Sequence, residues 1–185
     1  MSEPQEKVLD LRSVFGLQAT VTTPPEATGG SYVEMDVTAQ PGSETLIHYH
    51  PEQEETYQVL EGTLEVFRKE QWRSVTAGES LTVAQGEVHG FRNTSEVPVR
   101  FLNVHRPALA FQKHLETLAR LSRAGKIRGT KDPRSLIYMS MSAVEYQPDV
   151  PVKPPQWMMK ALAFVGRRFL GYTLDDGAPR KEEVA

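Results

Sequence analysis

Between residues 14 and 105 apolar and polar positions alternate in short runs cut by glycine and proline. Leu17, Ala19 and Val21 stop at Pro24 and Pro25; Val33, Met35 and Val37 stop at Pro41 and Gly42. A period of two sends successive side chains to opposite faces, as in a strand with one buried face. The pattern returns over residues 45–49, 55–60, 63–67, 80–83, 89–93 and 99–105. That many short strands in so few residues predict a small barrel or sandwich.

After Pro107 the period changes. Ala108, Phe111, Leu115 and Leu118 step by three and four, with Lys113, Glu116, Arg120 and Arg123 between them and Gly125 beyond. This is an amphipathic helix with a glycine stop. Asp132 followed by Pro133 reads as an N-cap with proline at the first helical position. It predicts a second helix, although residues 135–146 also carry β-compatible alternation. A proline-rich connector over 149–155 precedes a third helix over 156–169, ending near Gly171. The expected chain is mainly β: a barrel domain over 1–106, then a C-terminal helical extension over 107–185 packed on the barrel or on a dimer partner.

Composition removes several function classes. The 185 residues include no cysteine, which excludes disulfides, thiolate zinc sites, iron-sulfur clusters and a cysteine nucleophile. The net charge is −3, and no basic tract precedes the last quarter. Nucleic acid, which needs a positive footprint, is therefore not an expected partner. The longest apolar run, 161–165, is far short of the roughly 20 residues that span a bilayer. Residues 1–12 contain no continuous apolar region of the kind a signal peptide needs, so a cytoplasmic location is expected.

The last helix carries Trp157, Met158, Ala161, Leu162, Phe164, Val165 and Phe169 beside Lys160, Arg167 and Arg168. A basic amphipathic helix suits an anionic membrane. An apolar stripe is more commonly core-facing, so packing on the barrel or across a dimer is expected instead. The acidic end over 175–183 reads as a frayed tail.

The candidate chemistry lies in the β region. His48 and His50 are two apart on a predicted strand, so both imidazoles leave one face about 7 Å apart, a spacing that suits two ligands of one metal. Glu55 follows beyond a turn at Pro51, with Tyr57 and Val59 on its face, and His89 can supply a third nitrogen. His105 and His114 read as structural or solvated. Asn93 reads as closing a turn through its side chain.

Gly42, His48, His50, Glu55 and Gly62 stand at the spacing G-x5-H-x-H-x4-E-x6-G, and Gly78, Gly86, His89 and Asn93 follow the second half of the same pattern. These resemble the two motifs of the cupin superfamily over roughly residues 14–105. Ala84 stands where the second motif usually has proline, which is expected to loosen a turn without removing a ligand. Glu54 competes with Glu55, and the distance to Gly62 favours Glu55.

The resemblance implies a double-stranded β-helix (jelly-roll) barrel, often a homodimer. Inside it, His48, His50, Glu55 and His89 would converge on one divalent transition metal: Fe, Mn, Ni, Cu or Zn. Tyr57 and Phe91 are candidate pocket residues, with core packing the commoner role for Tyr57. The function expected is a mononuclear, dioxygenase-like metalloenzyme acting on a small organic molecule. The alternatives are a non-enzymic small-molecule-binding cupin and a Zn- or Mn-dependent isomerase or lyase. The last needs a base beyond the ligands, and only Tyr57 or Glu54 offers one.

Overall fold

The computed structural model describes residues 7–146 and 150–175. In chain order the elements are β1 (Lys7–Leu11), α1 (Arg12–Phe15), β2 (Leu17–Thr23), β3 (Val33–Ala39), β4 (His48–Tyr49), β5 (Glu54–Glu61), β6 (Thr63–Arg68), β7 (Gln71–Thr76), β8 (Ser80–Val83), β9 (His89–Arg92), β10 (Val99–Arg106), α2 (Phe111–Arg123), α3 (Pro133–Tyr146), β11 (Val150–Pro151) and α4 (Gln156–Arg168). Two antiparallel sheets, ordered β1-β2-β3-β10-β5-β8 and β11-β4-β9-β6-β7, face each other as a double-stranded β-helix.

Alternation decides which side chains enter the barrel. Val33, Met35, Val37 and Ala39 of β3 are buried, as are Val99, Phe101, Asn103 and His105 of β10. β10 lies between β3 and β5, and its register sets Asn103 across from both Met35 and Tyr57, and His105 across from both Val33 and Glu55. Two polar side chains therefore stand among the residues that β10 turns inward.

β1, β7 and the short α1 have no counterpart in the sequence expectation. In β1 only Leu9 and Leu11 are buried, and in β7 only Val75, so charge masks the alternation on these edge strands. The strand expected over 45–49 shrinks to β4. Thr45 instead exchanges bonds with Phe91, its N–H donating to the Phe91 carbonyl at 3.0 Å and its Oγ1 accepting from the Phe91 N–H at 3.0 Å.

The second helix forms as expected. Asp132 Oδ2 accepts from the Ser135 N–H at 2.8 Å and from its hydroxyl at 2.7 Å, satisfying a donor of the first turn. α2 packs on β1 and α3, and α3 packs on α4.

Only part of the apolar stripe of the last helix is buried within this chain. Its buried residues are Met159, Ala163 and Gly166, while Trp157 is 71% exposed, Phe164 60% and Phe169 69%. A β-carbon added at Gly166 would lie 2.6 Å from Ile137 Cγ2 and 2.9 Å from Met141 Sδ. So close an approach to α3 admits small side chains only, and the large rings turn outward. The acidic end lies outside the described residues beyond Asp175.

Candidate metal centre and cavity

His48 begins β4, His50 follows it, His89 begins β9 and Glu55 is the second residue of β5. β4 and β9 pair with His48 directly across from His89. Glu55 comes from the other sheet, so the four meet where the two sheets face each other. All four are buried, and one potential ligand atom from each lies within 4.8 Å of the others.

Backbone carbonyls orient two of the rings. His48 Nδ1 is 2.7 Å from the Leu46 oxygen, and His89 Nδ1 is 2.7 Å from the Glu87 oxygen. A carbonyl only accepts, so each Nδ1 carries the hydrogen, and in a neutral ring the Nε2 lone pair is left for the cluster. His89 Nε2 lies 2.6 Å from Glu55 Oε2, and His50 Nε2 3.2 Å from the same oxygen. A lone pair and a carboxylate oxygen are both acceptors, so a proton or a metal ion must lie between such groups. Three imidazoles and one carboxylate suit a divalent transition ion.

The surrounding backbone holds this arrangement. Gly86, at φ +75°, donates its N–H to the His50 carbonyl at 2.9 Å, a conformation that disfavours any residue with a β-carbon. Ala84 does not loosen its turn. Its N–H, which proline would lack, points to Glu87 Oε2 at 3.3 Å, and the Glu87 N–H returns to the Ala84 carbonyl at 3.0 Å. Asn93 closes its turn as expected, its Nδ2 donating to the Ala39 and Val97 carbonyls.

Of the two rival carboxylates, Glu54 is exposed and Glu55 is 4% exposed. Burial opposes ionisation of Glu55. Its interaction with His105 and hydrogen bonds from His50 and His89 outweigh that cost and hold the carboxyl well below its ordinary value. Asn103 Nδ2 donates to Glu55 Oε1 at 2.8 Å, and His105 Nε2 lies 2.9 Å from Asn103 Oδ1 and 3.4 Å from Glu55 Oε1. His105 is fully buried, and that burial pushes its own pKa down. Its ring stacks on Phe111 with centroids 3.5 Å apart.

Of the two roles expected for His105, structural or solvated, it takes the structural one, as the outer support of the carboxylate. The available signal was its parity with Phe101 and Asn103 on an inward-facing strand. His114 is likewise buried, its Nδ1 2.9 Å from the Ser142 hydroxyl.

A cavity of about 100 Å³ adjoins the cluster. His48 and Glu55 reach it, with Met35, Phe91 and Phe101 on the barrel side, and Phe111, Leu118, Met139 and Met159 from α2, α3 and α4. The helical segment therefore roofs the barrel. Phe91 stands in the wall. Tyr57 does not: it is fully buried between Phe91 and Phe101, and its Oη has no hydrogen-bond partner. Burial and the Glu55 charge hold its phenol well above the ordinary range, which leaves it poorly suited as a base.

Residues 35–105, a span that holds the whole cluster together with Asn103 and His105, match the family model described as a cupin domain. This segment of the chain is a cupin domain. Its cluster fits a cupin metal site. Comparison with curated proteins finds no match.

Among solved structures, this protein overlaps a predicted oxalate decarboxylase from Thermotoga maritima at 23% identity over 49% of this chain and 80% of that one, with a TM-score of 0.48. A sugar phosphate isomerase of the cupin superfamily from Silicibacter pomeroyi matches at 26% identity over 51% and 61%, with a TM-score of 0.45. An RmlC-like cupin from Shewanella frigidimarina matches at 20% identity over 56% and 86%, with a TM-score of 0.47. At such scores the overlaps carry no chemistry into this chain.

Proposed function

We propose that this protein is a mononuclear, dioxygenase-like metalloenzyme acting on a small organic molecule, with His48, His50, Glu55 and His89 holding the ion. One observation carries the reading: a buried set of imidazoles and a carboxylate, oriented by backbone carbonyls, borders an apolar cavity. A bound transition ion would supply Lewis acidity and, as iron, one-electron chemistry with dioxygen. The chain's own part is to present four ligand atoms, to fix Glu55 through Asn103 and His105, and to exclude water with the α2–α4 roof. Beyond the ligand set, the cavity-lining imidazoles among the described residues are His105 and His114, each already bonded to a neighbour, Asn103 and Ser142, which keeps an isomerase or lyase in second place. A homodimer in the cytoplasm remains part of the proposal, the dimer supported by the exposed apolar side chains of α4.

Elemental analysis of protein purified without an affinity metal, beside a His48→Ala/His89→Ala variant, tests the site. Near-stoichiometric transition metal lost in the variant is the expected result; a chain that also refuses added metal removes the enzyme reading. Iron-loaded protein, mixed anaerobically with catechols, thiols, diketones or flavonols and then exposed to oxygen, should show oxygen uptake with at least one class. Metal binding with no uptake and no spectral change would leave a binding protein.

A further inference from the structure

Resting on that reading for the position of the metal, we infer that the cavity takes a neutral, largely apolar molecule of about one ring with a single hydrogen-bond donor, held by the Nδ1 of His105. The class follows from what the wall offers. Among the residues that line it there is no lysine or arginine, and the one acid, Glu55, is engaged by His50, His89 and Asn103. Away from the ion that His48 and Glu55 would hold, a carboxylate or phosphate would be buried against apolar side chains with no protein cation, at a large desolvation cost.

A polyol fares little better, because each buried hydroxyl needs a partner and the wall's polar atoms are mostly taken. Thr45 serves the Phe91 backbone, both ends of the Asn103 amide are engaged, and His114 meets Ser142.

His105 is the exception, and its tautomer follows from its neighbours. Glu55 as a carboxylate only accepts, so the Asn103 amide turns its Nδ2 toward Glu55 and leaves Oδ1 toward His105. Oδ1 also only accepts, so His105 Nε2 carries the hydrogen and Nδ1 is a bare lone pair. That atom is buried and has no partner, the one such side-chain atom belonging to a cavity-lining residue among those described. Phe111, stacked on the ring, keeps it from turning. An O–H or N–H of the ligand would satisfy it. The volume sets the size: about 100 Å³ holds roughly seven to ten water-sized spheres, enough for one ring with a small substituent.

Calorimetric titration of metal-free, full-length protein with p-cresol, toluene and 4-methylbenzoate tests this with three probes of one shape. p-Cresol should bind roughly tenfold more tightly than toluene, the worth of one neutral hydrogen bond, and 4-methylbenzoate should not bind measurably. His105→Phe should erase the p-cresol advantage while leaving toluene affinity unchanged. Ala143→Phe, filling the cavity from α3, should abolish both. Equal affinity for p-cresol and toluene, or binding of 4-methylbenzoate at p-cresol strength, would overturn the inference, and the wild-type series decides this even if neither variant folds. Metal content, measured separately, keeps the two readings apart. Metal without p-cresol binding defeats only this inference, whereas p-cresol binding without metal defeats only the enzyme.

Discussion

His48 and His89 stand directly across from each other in the β4–β9 register, and each bonds its Nδ1 to the carbonyl two residues earlier, Leu46 and Glu87. The same local device thus acts on two strands that are far apart in sequence, aiming both Nε2 atoms inward. It predicts the tautomer of each ring. In long-range nitrogen–proton correlation spectra of zinc-loaded protein, both residues should show the hydrogen on Nδ1. A hydrogen on Nε2 of either ring would exclude that residue as an Nε2 ligand.

The seam between α3 and α4 depends on Gly166. An added β-carbon would press on Ile137 and Met141, an overpacking that costs about 1–3 kcal/mol and exceeds the gain of up to about 1 kcal/mol from replacing glycine in a helix. Gly166→Ala should therefore lower the thermal midpoint by a few degrees. An unchanged or higher midpoint would mean that the helices do not pack so closely.

Helices and barrel share one core, since Leu118 and Met139 belong to the same buried cluster as Phe101 and Met35. Trp72 lies on β7 and Trp157 on α4, so Trp72→Phe and Trp157→Phe leave one reporter in each region. Their fluorescence transitions in urea should coincide. Leu118→Ala, which opens a cavity at a residue only 1% exposed, should destabilise both reporters by about 2–5 kcal/mol. Separate transitions would make the helices an independent unit.

The start of α3 should be sensitive to acid. Hydrogen bonds from Ser135 hold the Asp132 carboxyl below its ordinary value. A depressed carboxyl pKa adds stability that is present above the unfolded value and lost as the pH falls through the folded one. Asp132→Ala should thus lower the melting midpoint at neutral pH, with the gap to wild type closing below about pH 4. A gap that persists in strong acid would show that the charge of Asp132 is not what caps the helix.

Much of this protein was written in local pattern. A period of two marked most of the inward strands, a period near 3.6 marked α2, and the Asp132–Pro133 pair marked the start of α3, because backbone geometry and turn chemistry act over a few residues. The members of the buried cluster were also legible, as paired histidines followed at fixed spacing by Glu55 and later by His89. Pairing between strands distant in sequence and packing between layers decided the rest. Nothing near His105 in sequence announces Glu55, which it meets only because β10 lies against β5. The last helix buries Met159, Ala163 and Gly166 rather than its larger rings, because the distance between packed helices is set by both partners and a hydrophobic stripe describes only one. The cavity, too, belongs to the tertiary structure: its wall joins residues of the barrel to residues of three helices, and its polarity is the sum of side chains that no single segment contains.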